Sequence, residues 1–164
     1  MKSHSQKKLL SPGVKFPPPV LFVVGFILGV IFEKAIFDLP LFADGASSTM
    51  RIGVGAAFLV AGIILVATAM MTFKKAKTAI IPHHRATLIV DYGPFAFSRN
   101  PMYLGLSIVY VGFSVMYNSG WPLIMLPLVL TALYTLVISR EERYLHSAFG
   151  QVYADYQKKV RRWV

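Results

Sequence analysis

The chain has 164 residues, of which 55% are hydrophobic and 15% charged, and its formal net charge is +10. This composition is too apolar for a soluble domain of that length, so it predicts a single integral membrane domain. Because the sequence has no cysteine, disulfides, thiolate metal sites and cysteine nucleophiles are excluded.

Four apolar stretches predict transmembrane helices. A helix needs roughly 20 apolar residues to span the hydrocarbon core of a bilayer. The second and fourth stretches reach that length without a charged residue, and the third is shorter. We therefore expect an all-α integral membrane protein with four transmembrane helices. The stretches are 16–37, 52–72, 102–117 and 121–139.

The first stretch allows two interpretations. Lys7 and Lys8 before a short apolar core are typical of a signal peptide. The prolines at 17–19 instead favour the start of a retained helix, where a missing N–H is tolerated. Glu33 and Lys34 near its end also argue against a signal peptide. We expect a retained helix whose Glu33 and Lys34 side chains snorkel to the membrane surface.

The basic residues are distributed asymmetrically. All of the 17 Lys and Arg residues except Lys34 and Arg51 fall in the N-terminal tail, the second link or the C-terminal region. Basic residues concentrate on the cytoplasmic side of membrane proteins, so we expect a multi-pass protein with both termini in the cytoplasm. The resulting basic belt suits the headgroups of anionic membrane lipids. Since these residues flank apolar spans, nucleic acid is not an expected partner.

The predicted helices are joined by unequal links. The third and fourth are joined through 118–120, and so short a turn predicts an antiparallel hairpin. The second and third are joined through 73–101, and a loop of that length usually carries function. After Ser139, apolar residues at helical spacing on both sides of Gly150 predict two amphipathic cytoplasmic helices. The single domain, 1–164, then divides into a basic tail (1–15), two transmembrane helices (16–72), and the long loop, hairpin and C-terminal helices (73–164).

Two motifs flank the predicted hairpin. The first, at 93–103, reads GPFAFSRNPMY, and the second, at 141–156, reads EERYLHSAFGQVYADY. In this order they resemble the isoprenylcysteine carboxyl methyltransferase family and its phospholipid methyltransferase relatives. That family has an Arg-His-Pro-x-Tyr turn before a helical hairpin, then a Glu-Glu pair and Phe-Gly-x-x-Tyr. The resemblance runs from about residue 78 to the C-terminus. It departs at Asn100, where the family usually has His, since Asn donates a hydrogen bond but carries no charge.

The resemblance implies methyl transfer from S-adenosylmethionine to a lipidic acceptor. The acceptor would be an amphiphilic lipid or a prenylated substrate, methylated on a prenylcysteine carboxylate or on a phospholipid amine. The donor methyl is already activated, so the protein has to align the reactants and exclude water. The sequence has only four His and lacks the His-Glu-x-x-His pattern, which disfavours a hydrolase. His83 and His84 are adjacent and do not readily share one face, so no metal is expected.

The resemblance also assigns roles to individual residues. Glu141 and Glu142 are expected to bind the cofactor's amino or ribose groups, and Arg140 to orient an acidic substrate group or the cofactor carboxylate. Arg99 would brace the Glu pair or bind the methionine carboxylate, and Tyr103 would point one face at the site. The expected catalytic residues are Arg140, Glu141 and Tyr103. The expected cofactor-binding residues are Gly93, Pro94, Arg99, Asn100, Pro101, Tyr103, Glu141 and Glu142.

Two other functions remain open on the sequence alone. One is a membrane reductase of the sterol-reductase type that uses a nicotinamide cofactor. The other is a non-catalytic membrane adaptor whose basic belt holds anionic lipid. Saturable binding of S-adenosylhomocysteine is expected only of a methyltransferase, and therefore distinguishes the three.

Overall fold

The computed structural model describes residues 17–43, 47–76 and 88–164, and within these ranges all regular secondary structure is helical. The predicted basic tail (1–15) and His83 and His84 lie outside the described residues. The elements in chain order are α1 (Pro18–Ala35), α2 (Ser48–Lys75), a 3-10 turn (Gly93–Ala96), α3 (Pro101–Tyr117), α4 (Trp121–Leu133), a π-helical segment (Tyr134–Ile138), α5 (Ser139–Phe149) and α6 (Gln151–Lys159).

The four predicted spans correspond to four apolar helices. Three helices of the described chain are long and apolar enough to cross a membrane, namely α1, α2 and the continuous helix Trp121–Phe149. The helix α3 is apolar but has only 17 residues. The start of α1 agrees with the sequence prediction, because Pro17 is its N-cap and Pro18 its first residue. These helices support an all-α integral membrane protein.

Two antiparallel helix pairs form the bundle. The helix α3 packs along α2, and α4 packs along α1. In the first pair, Gly55 faces Gly112 and Gly62 faces Gly105, so that a Cβ on Gly62 would lie 2.6 Å from the Gly105 carbonyl oxygen. Glycines at the contact let two backbones approach closely, which is how helices associate in lipid. The equal seven-residue spacing on both helices explains why α2 and α3 pair.

The predicted hairpin exists, but its two helices pack mainly on other partners. The short turn after Tyr117 makes α3 and α4 antiparallel neighbours in the chain, yet they contact each other little compared with α2·α3 and α1·α4. In the second pair, Gly29 lies against Pro122. The two pairs meet at Tyr110, which contacts the Phe22 ring edge-on and donates a hydrogen bond to the Pro122 carbonyl at 2.8 Å.

Glu33 does not snorkel, and the prediction that it would is wrong. It is only 8% exposed, and its carboxylate accepts a hydrogen bond from the Ser119 hydroxyl in the α3–α4 turn. A buried charge is strongly unfavourable unless it is hydrogen-bonded, and this turn supplies the donor. Lys34, one residue later, is exposed.

The apolar pattern predicted that the fourth helix ends at Ser139, but the helix does not end there. It continues to Phe149 through the π-helical segment, in which Val137 and Ile138 are fully buried. Segments of this type change the register of a helix and are frequent at functional sites. The helix then ends at Gly150, whose φ of 51° separates α5 from α6. That break is where the sequence predicted it.

Candidate functional site

The two sequence motifs meet at one end of the bundle, which we call the motif end; there α2 ends at Lys75, α3 begins at Pro101 and α5 carries the Glu pair. Tyr103, in the first turn of α3, donates a hydrogen bond to Glu141 Oε1 at 2.8 Å. Two of the three predicted catalytic side chains are thus in direct contact. The third, Arg140, directly precedes Glu141 and is half-buried.

The carboxylate of Glu142 is paired with two arginines. Arg162 donates from Nε to Oε1 at 3.0 Å and from Nη2 to Oε2 at 2.9 Å. Nη1 of Arg99 lies 3.2 Å from Oε1. Bidentate Arg–carboxylate contacts are among the stronger protein hydrogen bonds, and they raise the pKa of Arg162. The Glu142 side chain is only 16% exposed, so it belongs to a half-buried ion cluster and is not a solvated helix cap.

The guanidinium of Arg99 has donors that nothing in the described chain accepts. Its Nε and Nη1 atoms are buried and make no well-aligned hydrogen bond, although Nη1 is close enough to Glu142 for an ion pair. Buried donors without an acceptor are rare and energetically unfavourable. The arrangement can therefore receive an additional acceptor oxygen at Arg99.

The first motif is held by the C-terminal residues 160–163, which we call the C-terminal strap. The Arg99 backbone N–H donates to the Arg161 carbonyl at 3.0 Å. The Asn100 side chain donates to the Arg162 carbonyl at 3.1 Å, and the Ser98 hydroxyl donates to the same carbonyl at 3.2 Å. Asn100 thus donates through an uncharged side-chain amide. A residue at this position can therefore hold the C-terminal strap without a titratable group.

The helix α6 packs against the same motif at the motif end. Its residues Tyr153 and Tyr156 and the following Val160 form one buried cluster, as their helical spacing predicted. Tyr156 donates its hydroxyl to the Phe95 carbonyl at 2.7 Å. Burial raises the pKa of the Tyr156 hydroxyl, so it stays protonated and remains a donor. The strap is therefore anchored where it leaves α6.

The remaining predicted site residues shape the turn. Gly93 adopts a positive φ of 62° and faces Thr72 of α2. The Pro94 carbonyl accepts the backbone N–H groups of Phe97 and Ser98 at 3.3 and 3.2 Å. Pro101 is buried as the first residue of α3. The structure thus joins Gly93 and Pro94 to the turn beside α2, and places the other predicted site residues at the motif end, where Tyr103 and Arg99 contact the Glu pair directly. Those residues are Arg99, Asn100, Pro101, Tyr103, Arg140, Glu141 and Glu142.

Sequence reasoning missed Arg162 and Tyr134. The Arg162 guanidinium lies over the Tyr134 ring, 4.8 Å from its centroid. Both residues line an open groove of about 250 Å³, together with Leu130, Thr131 and Trp163. The sequence pattern assigns Arg162 only to the basic belt. It lies 20 positions from Glu142, and no local spacing connects the two residues.

No group of three or more potential metal ligands of the His, Asp or Glu type is found among residues 17–43, 47–76 and 88–164. The polar side chains that contact one another around the Glu pair are carboxylates, arginines and the Tyr103 phenol.

Comparison with known proteins gives two kinds of match. The family model described as phospholipid methyltransferase matches residues 50–152, which include most of both motifs. The protein-S-isoprenylcysteine O-methyltransferase of Saccharomyces cerevisiae is 26% identical over 163 residues, covering 98% of this chain and 67% of that protein. The enzyme of the same name from Schizosaccharomyces pombe is 32% identical over 105 residues, covering 63% of this chain and 44% of that protein.

A third relative matches the chain with similar identity and coverage. The protein-S-isoprenylcysteine O-methyltransferase B of Arabidopsis thaliana is 31% identical over 111 residues, which are 65% of this chain and 55% of that protein. The matched region therefore spans between 44% and 67% of the length of these three relatives.

Proposed function

The chain belongs to the phospholipid methyltransferase family, and on that premise we propose that it transfers a methyl group from S-adenosylmethionine to an amphiphilic acceptor at the membrane surface. The acceptor is a prenylcysteine carboxylate or a phospholipid amine. The observation that carries the proposal is the contact between the two motifs, in which Tyr103 meets Glu141 while Arg99 and Glu142 form an ion pair beside it.

The residues at the motif end suit this cofactor. The amino-acid part of S-adenosylmethionine carries an ammonium and a carboxylate group, and its adenosine carries ribose hydroxyls. Glu142 would hold the ammonium group, since a half-buried carboxylate favours a cation. The buried Nε and Nη1 donors of Arg99, which make no well-aligned hydrogen bond, would hold the cofactor carboxylate. Glu141, fixed by Tyr103, would accept from a ribose hydroxyl or orient the acceptor.

When bound, the cofactor supplies a sulfonium methyl group that is already activated for transfer. The work left to the chain is to orient the acceptor and to exclude water. The fully buried Val137 and Ile138 belong to the core cluster against which Tyr103 packs, and would exclude water from that side. The Tyr103 hydroxyl fixes the orientation of the Glu141 carboxylate through Oε1.

The two acceptor classes make different demands on these residues. A carboxylate acceptor is nucleophilic without losing a proton, so it needs only alignment. A phospholipid ammonium group has to lose a proton before it can attack. In that case Glu141 would take the proton on Oε2, the oxygen that is not bonded to Tyr103.

We place the site at the cytoplasmic membrane surface. Lys74 and Lys75 end α2 at the motif end, and the Lys and Arg residues of α5, α6 and the strap lie there as well. The two exceptions, Lys34 and Arg51, belong to the opposite end of the bundle. The positive-inside rule therefore supports a cytoplasmic motif end, where a soluble cofactor enters from the cytoplasm and the acceptor from the bilayer.

The proposal is tested by methyl transfer from tritium-labelled S-adenosylmethionine with the purified protein in lipid nanodiscs. One arm contains N-acetyl-S-farnesylcysteine and the other contains phosphatidylethanolamine, and label is counted in the extracted lipid product. Transfer in either arm supports the proposal and identifies the acceptor class. Absence of transfer in both arms, with a protein that remains folded, contradicts it.

A further inference from the structure

Glu142 already holds a cation that belongs to the chain itself. Both of its oxygens accept hydrogen bonds from Arg162, at 3.0 and 2.9 Å, and Arg99 lies 3.2 Å from one of them. A carboxylate offers about four acceptor positions; Arg162 uses one on each oxygen, and the Arg99 ion pair lies against Oε1. A ligand ammonium group that contacts both oxygens of Glu142 competes with Arg162, which now binds both of them.

The Arg162 guanidinium has a second favourable contact besides Glu142. Its guanidinium stacks on Tyr134, its side chain is 35% exposed, and it faces the open groove beside α4. A cation over an aromatic ring is stabilised even when it has left its carboxylate partner. Arg99, by contrast, is only 11% exposed and has no comparable exit. Arg162 is thus the arginine that can leave Glu142.

The backbone of the C-terminal strap does not have to move with that side chain. Its carbonyls are held by Ser98, Arg99 and Asn100, and none of these bonds involves the Arg162 guanidinium. Rotation of one partly exposed side chain is a fast and local event compared with movement of a segment. The backbone of the strap can therefore stay in place while the Arg162 guanidinium moves.

We propose that Arg162 is a specificity-determining residue of the cofactor site, whose guanidinium holds Glu142 until the ammonium group of a ligand displaces it. This proposal rests on the proposed function, because it takes the cofactor to be S-adenosylmethionine. The consequence is that the site distinguishes ligands that carry an ammonium group from ligands that do not. A nucleoside ligand without an ammonium group cannot replace the charge on Glu142, so it gains nothing when Arg162 is removed.

The test compares two ligands on the parent protein and on Arg162→Met. S-adenosylhomocysteine carries the ammonium group, whereas 5′-methylthioadenosine keeps the adenosine and thioether without the amino-acid part. Because the variant no longer has to break a charge-assisted pair, we expect it to bind S-adenosylhomocysteine about tenfold more tightly. The affinity for 5′-methylthioadenosine should stay within about twofold. Arg162→Lys, which keeps the charge but loses the bidentate geometry, should fall between the parent and Arg162→Met.

Lys159→Met is the matched control, because it removes an exposed positive charge from the end of α6 without touching the ion cluster. It should bind both ligands as the parent does. Weaker or unchanged binding of S-adenosylhomocysteine by Arg162→Met overturns the proposal, as does an equal gain for both ligands. If Arg162→Met does not fold, Arg162→Lys decides the question, and binding no tighter than the parent's overturns it. Failure of the parent to bind S-adenosylhomocysteine at all would instead contradict the proposed function.

Discussion

The Tyr103 hydroxyl donates a hydrogen bond to Glu141 Oε1 over 2.8 Å, between residues 38 positions apart in the sequence. The bond links the first turn of α3 to α5, although α3 and α4 pack mainly on other helices. It therefore fixes the two motifs relative to each other at the motif end. A hydroxyl bonded to a carboxylate forms one of the stronger hydrogen bonds in proteins.

Replacing Tyr103 by Phe keeps the ring and removes this bond. A hydrogen bond to a charged group contributes about 1.5–3 kcal/mol, so we expect the rate of methyl transfer to fall by roughly tenfold or more. Tyr117→Phe removes a hydroxyl from the far end of the same helix, where the side chain is exposed, and should leave the rate unchanged. A fully active Tyr103→Phe would show that the bond has no part in the reaction.

At Asn100, hydrogen bonding and charge can be separated by two substitutions. Asn100→His keeps a donor for the Arg162 carbonyl, whereas Asn100→Leu removes it. We expect the His variant to remain active and the Leu variant to lose most activity, with similar pH profiles for the parent and the His variant between about pH 6 and pH 9. The measurement is methyl transfer across that range. A fully active Leu variant would mean that the bond from Asn100 to the strap is dispensable.

The close approach of α2 and α3 predicts a large difference between two glycines of one helix. A Cβ at Gly62 would lie 2.6 Å from the Gly105 carbonyl oxygen, whereas a Cβ at Gly53 meets no atom within 4 Å. Overpacking typically destabilises by about 1–3 kcal/mol. We therefore expect Gly62→Ala to lower the melting temperature in detergent and Gly53→Ala to leave it unchanged or to raise it. Equal melting temperatures for the two variants would contradict the glycine contact.

The orientation in the membrane can be tested with single cysteines, because the chain has none of its own. Asp38 and Lys159 are both exposed and lie at opposite ends of the bundle. If the motif end is cytoplasmic, an impermeant thiol reagent should label Asp38→Cys in intact cells and Lys159→Cys only after permeabilisation. The reverse pattern would contradict the cytoplasmic site. A cysteine at Ser119 would not report, since that residue is fully buried.

Much of the fold follows from local sequence patterns. The apolar stretches predicted the helices α1 to α4 to within a few residues at most ends. Gly150 predicted the break between α5 and α6. These features depend on residues close in the sequence, so periodicity and composition reveal them.

The rest depends on contacts between distant residues. The partner of Glu33 is Ser119, and the partner of Glu142 is Arg162, and neither pair has a local signal. An apolar run also cannot show the π-helical segment that carries the fourth helix past Ser139, because the register change adds no polar residue. The resemblance placed Tyr103 and Glu141 in one site, but it gave no role to the C-terminal strap that holds Asn100.

If the ion cluster around Glu142 binds S-adenosylmethionine, calorimetric titration with S-adenosylhomocysteine should depend on the Glu142 charge. Removing the charge with Glu142→Gln should weaken binding by one to two orders of magnitude, since a charge-assisted hydrogen bond contributes about 1.5–3 kcal/mol. Asp155→Asn neutralises an exposed carboxylate on α6 that pairs with the nearby Lys158 and Gln151, and should bind as the parent does. We predict saturable binding by the parent and by Asp155→Asn and much weaker binding by Glu142→Gln. Equal affinity of all three proteins, or no binding by the parent, would contradict the account.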